Sequence, residues 1–165
     1  MSDAFDDLME ANRAFASSFG LAGFDGVARA GVALVTCMDS RIDPLGMVGL
    51  SPGDAKILRN PGLRVTDQAL EALVLCVHLL QVERILVVPH TRRAMASATQ
   101  DELRERVGAS AGQDASWQNF GVVADQEAAL RDDVNRVTSH PLIPDRVPVG
   151  GFLYDVDTGL LNRVV

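Results

Sequence analysis

The sequence predicts an α/β fold: a central, mostly parallel β-sheet flanked by helices, with a helical arm at the N-terminus and a β-hairpin at the C-terminus. Three observations lead there. Short aliphatic runs (Gly31 to Thr36, Ala55 to Leu58, Arg84 to Val88) alternate with stretches of helical period, the pattern of strand–helix–strand units with parallel strands. The first and third runs are continuously apolar rather than alternating, as suits strands buried on both faces. No repeat, low-complexity segment or linker divides the chain, so residues 1–165 read as one domain with 1–20 as its arm.

In the arm, the apolar members of the series Phe5, Leu8, Asn12, Phe15 and Phe19 recur at helical spacing, and Gly20 is a stop. This amphipathic face needs a surface to lie on. Gly31 to Thr36 is the first strand and Cys37 to Arg41 the loop after it. Asp43-Pro44 then opens a short helix, with a capping carboxylate and proline at the first position. Ser51-Pro52-Gly53-Asp54 has turn composition, and Ala55 to Leu58 is the second strand, ending at Arg59-Asn60-Pro61-Gly62.

Thr66 or Asp67 caps a long helix reaching Leu80, whose buried face carries Leu70, Leu73, Val74, Val77 and Leu80. Arg84 to Val88 is the third strand and ends at Pro89-His90. A helix is expected from Ala94 to Val107, then a polar stretch from Gly108 to Ser116. Glu127 to Thr138 aligns Leu130, Val134 and Val137, and Pro141 and Pro144 end that helix. The tail alternates through Phe152, Tyr154 and Val156, turns at Asp157-Thr158-Gly159 and closes a hairpin. Helices are expected on both faces of the sheet.

Charge and composition exclude several classes. Fifteen Lys+Arg against 22 Asp+Glu give a net charge of −7, which opposes sequence-independent nucleic-acid binding. No apolar run approaches the ~20 residues that span a bilayer. The acidic start MSDAFDDLMEANR lacks a signal-peptide pattern. Two cysteines are too few for a disulfide framework. The expected setting is cytoplasmic, soluble and reducing, with neither nucleic acid nor membrane as partner.

In parallel sheets ligands bind beyond the carboxyl ends of the strands. Three polar clusters fall there: Cys37-Met38-Asp39-Ser40-Arg41, Arg59-Asn60 and His90-Thr91-Arg92-Arg93. Cys37 and His90 suit zinc, and Asp39 adds a carboxylate oxygen. Asp39 and Arg41 are placed to pair through a guanidinium fork. Taken singly, a buried cysteine is a small hydrophobe and a histidine satisfies the backbone; together at successive strand ends they make a candidate site. Cys76 reads as packing, and neither His78 nor His140 is assigned to a site. Phosphate-loop, dinucleotide and nucleophile-elbow motifs are absent.

These residues resemble a β-class carbonic anhydrase of the short microbial type. The resemblance runs through Cys37-Met38-Asp39-Ser40-Arg41, Ser51-Pro52-Gly53-Asp54-Ala55, Arg59-Asn60, Val65-Thr66-Asp67 and His90-Thr91 to Gly151-Phe152-Leu153-Tyr154-Asp155-Val156 and Thr158-Gly159. It implies a dimeric zinc enzyme that hydrates carbon dioxide to bicarbonate with a zinc-bound hydroxide. Carried over, Cys37 and His90 are metal ligands, and Asp39 and Arg41 are the catalytic pair beside the metal.

The chain departs from that pattern where a second cysteine ligand is required. The family's His-Thr-Asp-Cys-Gly reads His90-Thr91-Arg92-Arg93-Ala94, and its Arg-Asn-Ala-Gly-Gly reads Arg59-Asn60-Pro61-Gly62-Leu63. A guanidinium about 4 Å from a divalent ion is repelled by roughly 8 kcal/mol at an effective dielectric of about 20. That is a large share of the ~10–16 kcal/mol that holds structural zinc. The expectation is a carbonic-anhydrase-like protein without zinc, with weak or absent hydration of carbon dioxide. Its cations Arg41, Arg59, Arg92 and Arg93 would take a small anion (bicarbonate, phosphate or sulfate). The alternative turns Arg93 away and binds zinc through Cys37, Asp39 and His90, leaving a water or anion as the fourth ligand. The arm and the resemblance together predict a homodimer or higher homo-oligomer.

Overall fold

The computed structural model describes residues 3–92 and 98–165. Four parallel strands, β1 (Val32–Cys37), β2 (Ala55–Asn60), β3 (Arg84–Val88) and β4 (Val149–Tyr154), form one sheet with β5 (Leu161–Arg163), which runs antiparallel to β4. The strand order is β2-β1-β3-β4-β5. Every residue of the central strand β1 is buried, which is why its sequence is unbroken Val-Ala-Leu-Val-Thr-Cys. The expected loop residue Cys37 is the last residue of β1, opposite Asn60 of β2. β1 and β3 pair from Val32↔Arg84 to Thr36↔Val88, so Cys37, Asn60 and His90 reach the same rim of the sheet.

Helices α2 (Asp67–Leu79) and α4 (Gln126–Thr138) both pack on one face. Their Leu70, Leu73, Val77, Leu130, Val134 and Val137 share a core cluster with Ala33, Val35, Ile85 and Val87, strand residues of a single face. Helices on both faces were expected, and crossover handedness explains the difference. From β1 the chain steps outward to β2, then returns through α2 to β3 and continues past α4 to β4. Right-handed crossovers put those two returning connections on the same face and only the β1–β2 connection on the other. That connection contains a single 3-10 turn, Gly46–Val48. The opposite face therefore keeps a cavity of about 340 Å³ bounded by Val32, Leu86, Val48, Leu50 and Phe152, with Arg84 and Arg163 beside it.

Local signals decide the boundaries. The Thr66 side chain accepts from the Ala69 N–H and starts α2 as expected. The short helix expected at Asp43-Pro44 is instead the 3-10 turn; Asp43 still does the capping, its carboxylate accepting from the Gly46 N–H at 3.0 Å. Helix α3 (Gln100–Ala111) starts later than the expected Ala94 and ends beyond Val107. A reciprocal Thr99–Glu102 capping box sets its start, and Gly112, at φ +64°, sets its end. The expected residues Ala94 to Ser97 lie outside the described residues.

The arm forms α1 (Asp6–Ala16), stopping short of Gly20. None of its residues is buried, and Phe5, Leu8, Phe15 and Phe19 are exposed. Among the described residues no helix is long and apolar enough to cross a membrane.

Candidate functional site

The strand ends border a cavity of about 860 Å³. Cys37, Met38, Asp39, Ser40 and Arg41 form one wall and Pro61 and Gly62 another, with His90 and Arg92 beside them. The far wall is Leu103 of α3 and the segment 118–123 that leads into α4. The clusters expected after β1 and β3 border this cavity, whereas from the end of β2 Pro61 and Gly62 line it in place of the expected Arg59 and Asn60.

The β1 loop is organised around Asp39. Arg41 donates from Nε to Oδ1 at 2.9 Å and from Nη2 to Oδ2 at 2.8 Å, and its own backbone N–H also reaches Oδ1 at 2.9 Å. These bonds, the guanidinium first and the backbone N–H second, hold the Asp39 carboxyl well below the usual carboxylate range. Arg41 Nη2 also donates to the Arg92 carbonyl at 3.0 Å. Its Nη1 has no partner among the described residues.

Arg59, expected among the anion-binding cations, has a different task. It does not line the cavity. It donates from Nε to the Cys37 carbonyl and from Nη2 to the Asp39 carbonyl, both at 2.7 Å, and so braces the loop from behind. The reason is register: Arg59 sits opposite Thr36, one step before Cys37, with those carbonyls within reach. Arg92 does line the cavity, but its guanidinium is tied to Asp157 at 2.7 Å on the exposed rim. Its backbone is left-handed, at φ +50°, which turns its carbonyl toward Arg41. Arg93 lies outside the described residues.

His90 is 1% exposed. Its Nδ1 lies 2.6 Å from the Thr91 carbonyl. A carbonyl only accepts, so Nδ1 carries a proton, and Nε2 lies 3.8 Å from Asp39 Oδ2. The peptide is held by the tail hairpin and by α4. Thr91 N–H donates to the Tyr154 carbonyl at 2.9 Å, Tyr154 N–H to the Pro89 carbonyl at 2.8 Å, and Gln126 Nε2 to the His90 carbonyl at 2.8 Å.

Cys37 is only 7% exposed and packs with Ile42 and Leu63, flanked by Met47 and Tyr154. Cys76 is buried in the main core, and burial pushes its thiol up. His78 meets the Leu142 carbonyl at 2.7 Å, away from the cavity.

Cys37, Asp39 and His90 border one cavity, but both Asp39 oxygens are taken by Arg41. Among the described residues no three His, Cys, Asp or Glu side chains converge on a metal position. The segment 93–97 reads Arg-Ala-Met-Ala-Ser and brings no such ligand type.

Sequence reasoning missed the far wall and the supports of the site. Leu103 comes from a stretch read only as a helix, and Phe120 and Val122 lie between the polar stretch and the next helix, where the sequence reading assigned nothing. Gln126 and Asp133 of α4 hold the strand-end loops from outside. Asp133 carried a signal: it lies three residues after Leu130 and four before Val137, on the face assigned to the core.

A family model described as carbonic anhydrase matches residues 32–161. β-Carbonic anhydrase 1 of Mycobacterium tuberculosis is 31% identical over 133 residues, covering 81% of each chain. The crystal structure of a carbonic anhydrase from Streptococcus mutans superposes with a TM-score of 0.88 at 36% identity, covering 100% of this chain and 99% of that one. A carbonic anhydrase from Glaciozyma antarctica follows at 0.83 and 32%, covering all of both chains.

Proposed function

The chain belongs to the carbonic anhydrase family, in its β-class, and from that membership we propose that it is a carbonic-anhydrase-like protein with a degraded zinc site. In this reading hydration of carbon dioxide is weak or absent, and the strand-end cavity takes a small anion such as bicarbonate, phosphate or sulfate.

The observation that carries the reading is the pairing of Asp39 with Arg41. Among the described residues it leaves no third ligand for a metal beside Cys37 and His90, while arginine stands at position 93, where the family pattern has cysteine. In this reading no metal lowers the pKa of water toward ~7, the step hydration needs at neutral pH. Arg41 lines the cavity and keeps Nη1 as a donor for an anion, with Arg92 at the rim and Arg93 next to it in sequence. Arg59 serves the site as a brace.

One observation favours the second reading, an active zinc enzyme using Cys37, Asp39 and His90. The Nδ1 bond of His90 fixes the orientation of the ring, with Nε2 on the side of Asp39. Zinc binding would require Asp39 to leave Arg41.

The exposed apolar face of α1 supports a homodimer in which the arm packs against a second copy. Two unpaired buried cysteines fit a reducing, cytoplasmic setting.

The deciding experiment is stopped-flow hydration of carbon dioxide alongside thermal melts in sulfate, phosphate and bicarbonate, each with and without chelator. No hydration above buffer, with anion stabilisation indifferent to chelator, is the expected result. Hydration that chelator abolishes and zinc restores would establish the second reading.

A further inference from the structure

Helix α4 reaches the site from behind. Gln126, in its first turn, holds the His90 carbonyl; two turns later Asp133 points into the protein and is only 2% exposed. Asp133 Oδ2 accepts from Arg64 Nε at 2.8 Å. The backbone of Arg64 is in turn clasped by the Asn60 side chain, which donates to the Arg64 carbonyl at 2.8 Å and accepts from its N–H at 3.2 Å. Residues 60–64 are thereby closed into a short loop tethered to α4 by one ion pair.

Inside that loop sits a strained residue. Leu63 has φ +58°, the left-handed region that side chains with a β-carbon avoid. Yet Leu63 is 4% exposed, packed against Cys37 and Ile42. The strain is held while the side chain covers the thiol. Oδ1 of Asp133 has no hydrogen-bond partner among the described residues. Asp133, Gly62 and Leu63 all border a cavity of about 10 Å³, room for about one water molecule. An ion pair whose arginine is partly exposed while its aspartate is buried is a weak device for stability alone. What this pair does distinctively is pin the loop.

We propose that Asp133 is a positioning residue that, acting through Arg64 and Asn60, holds Leu63 in its left-handed conformation over Cys37 and so sets how much of the thiol the cavity sees. The inference rests on the strand-end cavity being the functional site. Its readout is a thiol rate rather than an anion affinity, so it and the anion reading fail separately.

The test is the rate of Cys37 alkylation by iodoacetamide at fixed pH, in the full chain with Cys76→Ala as background. Asp133→Asn is expected to raise the rate about tenfold, the effect of weakening local closure by one charged hydrogen bond. Leu63→Gly should raise it at least as much, and the double variant should react no faster than Leu63→Gly alone. If Asp133→Asn does not fold, Arg64→Lys takes its place, keeping the charge while losing the Nε donor. A lower melting temperature with an unchanged alkylation rate would reduce Asp133 to a structural residue and overturn the proposal. So would rate increases that multiply in the double variant.

Discussion

Arg41 grips Asp39 by both carboxylate oxygens, at 2.9 and 2.8 Å, while donating a further bond to the Arg92 carbonyl. One side chain thus ties the loop after β1 to the loop after β3 and neutralises the carboxylate nearest His90. The pair is a structural clasp, and in the proposed function it also withholds Asp39 from a metal.

The clasp should show in the pH dependence of stability. Arg41 holds the Asp39 pKa below the ordinary carboxylate value. Its stabilisation is therefore complete above the unfolded pKa of about 3.9 and is lost as the pH falls toward the folded value. The melting-temperature gap between the parent and Arg41→Met should be flat from about pH 8 to about pH 5 and shrink toward about pH 2. A gap that widened on acidification would mean another group holds Asp39.

Zinc content separates the two functional readings. Elemental mass spectrometry of the untagged parent should find far less than one zinc per chain, and Arg93→Cys should approach one, because a thiolate then replaces a fixed cation. Near-stoichiometric zinc in the parent would revive the enzyme reading. No zinc in either protein would mean that the pocket has been remade elsewhere, with Arg92 and Leu63 the first positions to revert.

An anion that occupies the cavity should stabilise the fold without a metal. Sulfate at about 100 times its Kd contributes about 2.7 kcal/mol, a rise of about 5–10 °C for a domain of this size. EDTA should leave the shift unchanged. Arg59→Met should lower the melting temperature through loss of its two carbonyl bonds, yet keep most of the anion-induced rise. If that rise disappears with Arg59, its role as a brace is wrong.

The arm predicts its own assay. Replacing Phe15 and Phe19, whose rings lie 5.7 Å apart and are exposed, with serine should weaken self-association by about 100-fold or more if they are interface anchors. Sedimentation velocity across a dilution series reads this directly. A monomer at all concentrations in the parent would remove the dimer from the functional reading.

Much of the fold is legible in the residues because it rests on local signals. The Thr66 cap, the aliphatic run Arg84 to Val88 and the Asp157-Thr158-Gly159 turn each act within a few positions, and each element stands where those signals put it. Helix α3 was misplaced at both ends because its apolar pattern is weak; the Thr99–Glu102 box and Gly112 are the sharper markers. Of the candidate site, Cys37, Asp39, Arg41, His90 and Arg92 were legible as strand-end residues, and all five border the cavity. Arg59 was legible as a cation but not as a brace, since its partners are carbonyls 20 and 22 residues away.

The sequence by itself determined the strands, their helices and the chemical types gathered at one rim, because periodicity, caps and strand-end position are local or topological properties. It also determined that arginine stands at position 93. Only the tertiary structure decided that α2 and α4 share a face, that Arg41 spends its fork on Asp39, and that Leu63 is held left-handed over Cys37. Those outcomes depend on crossover handedness and on which of several donors lies nearest each buried acceptor. Such distances come into being only when residues far apart in the chain are packed together.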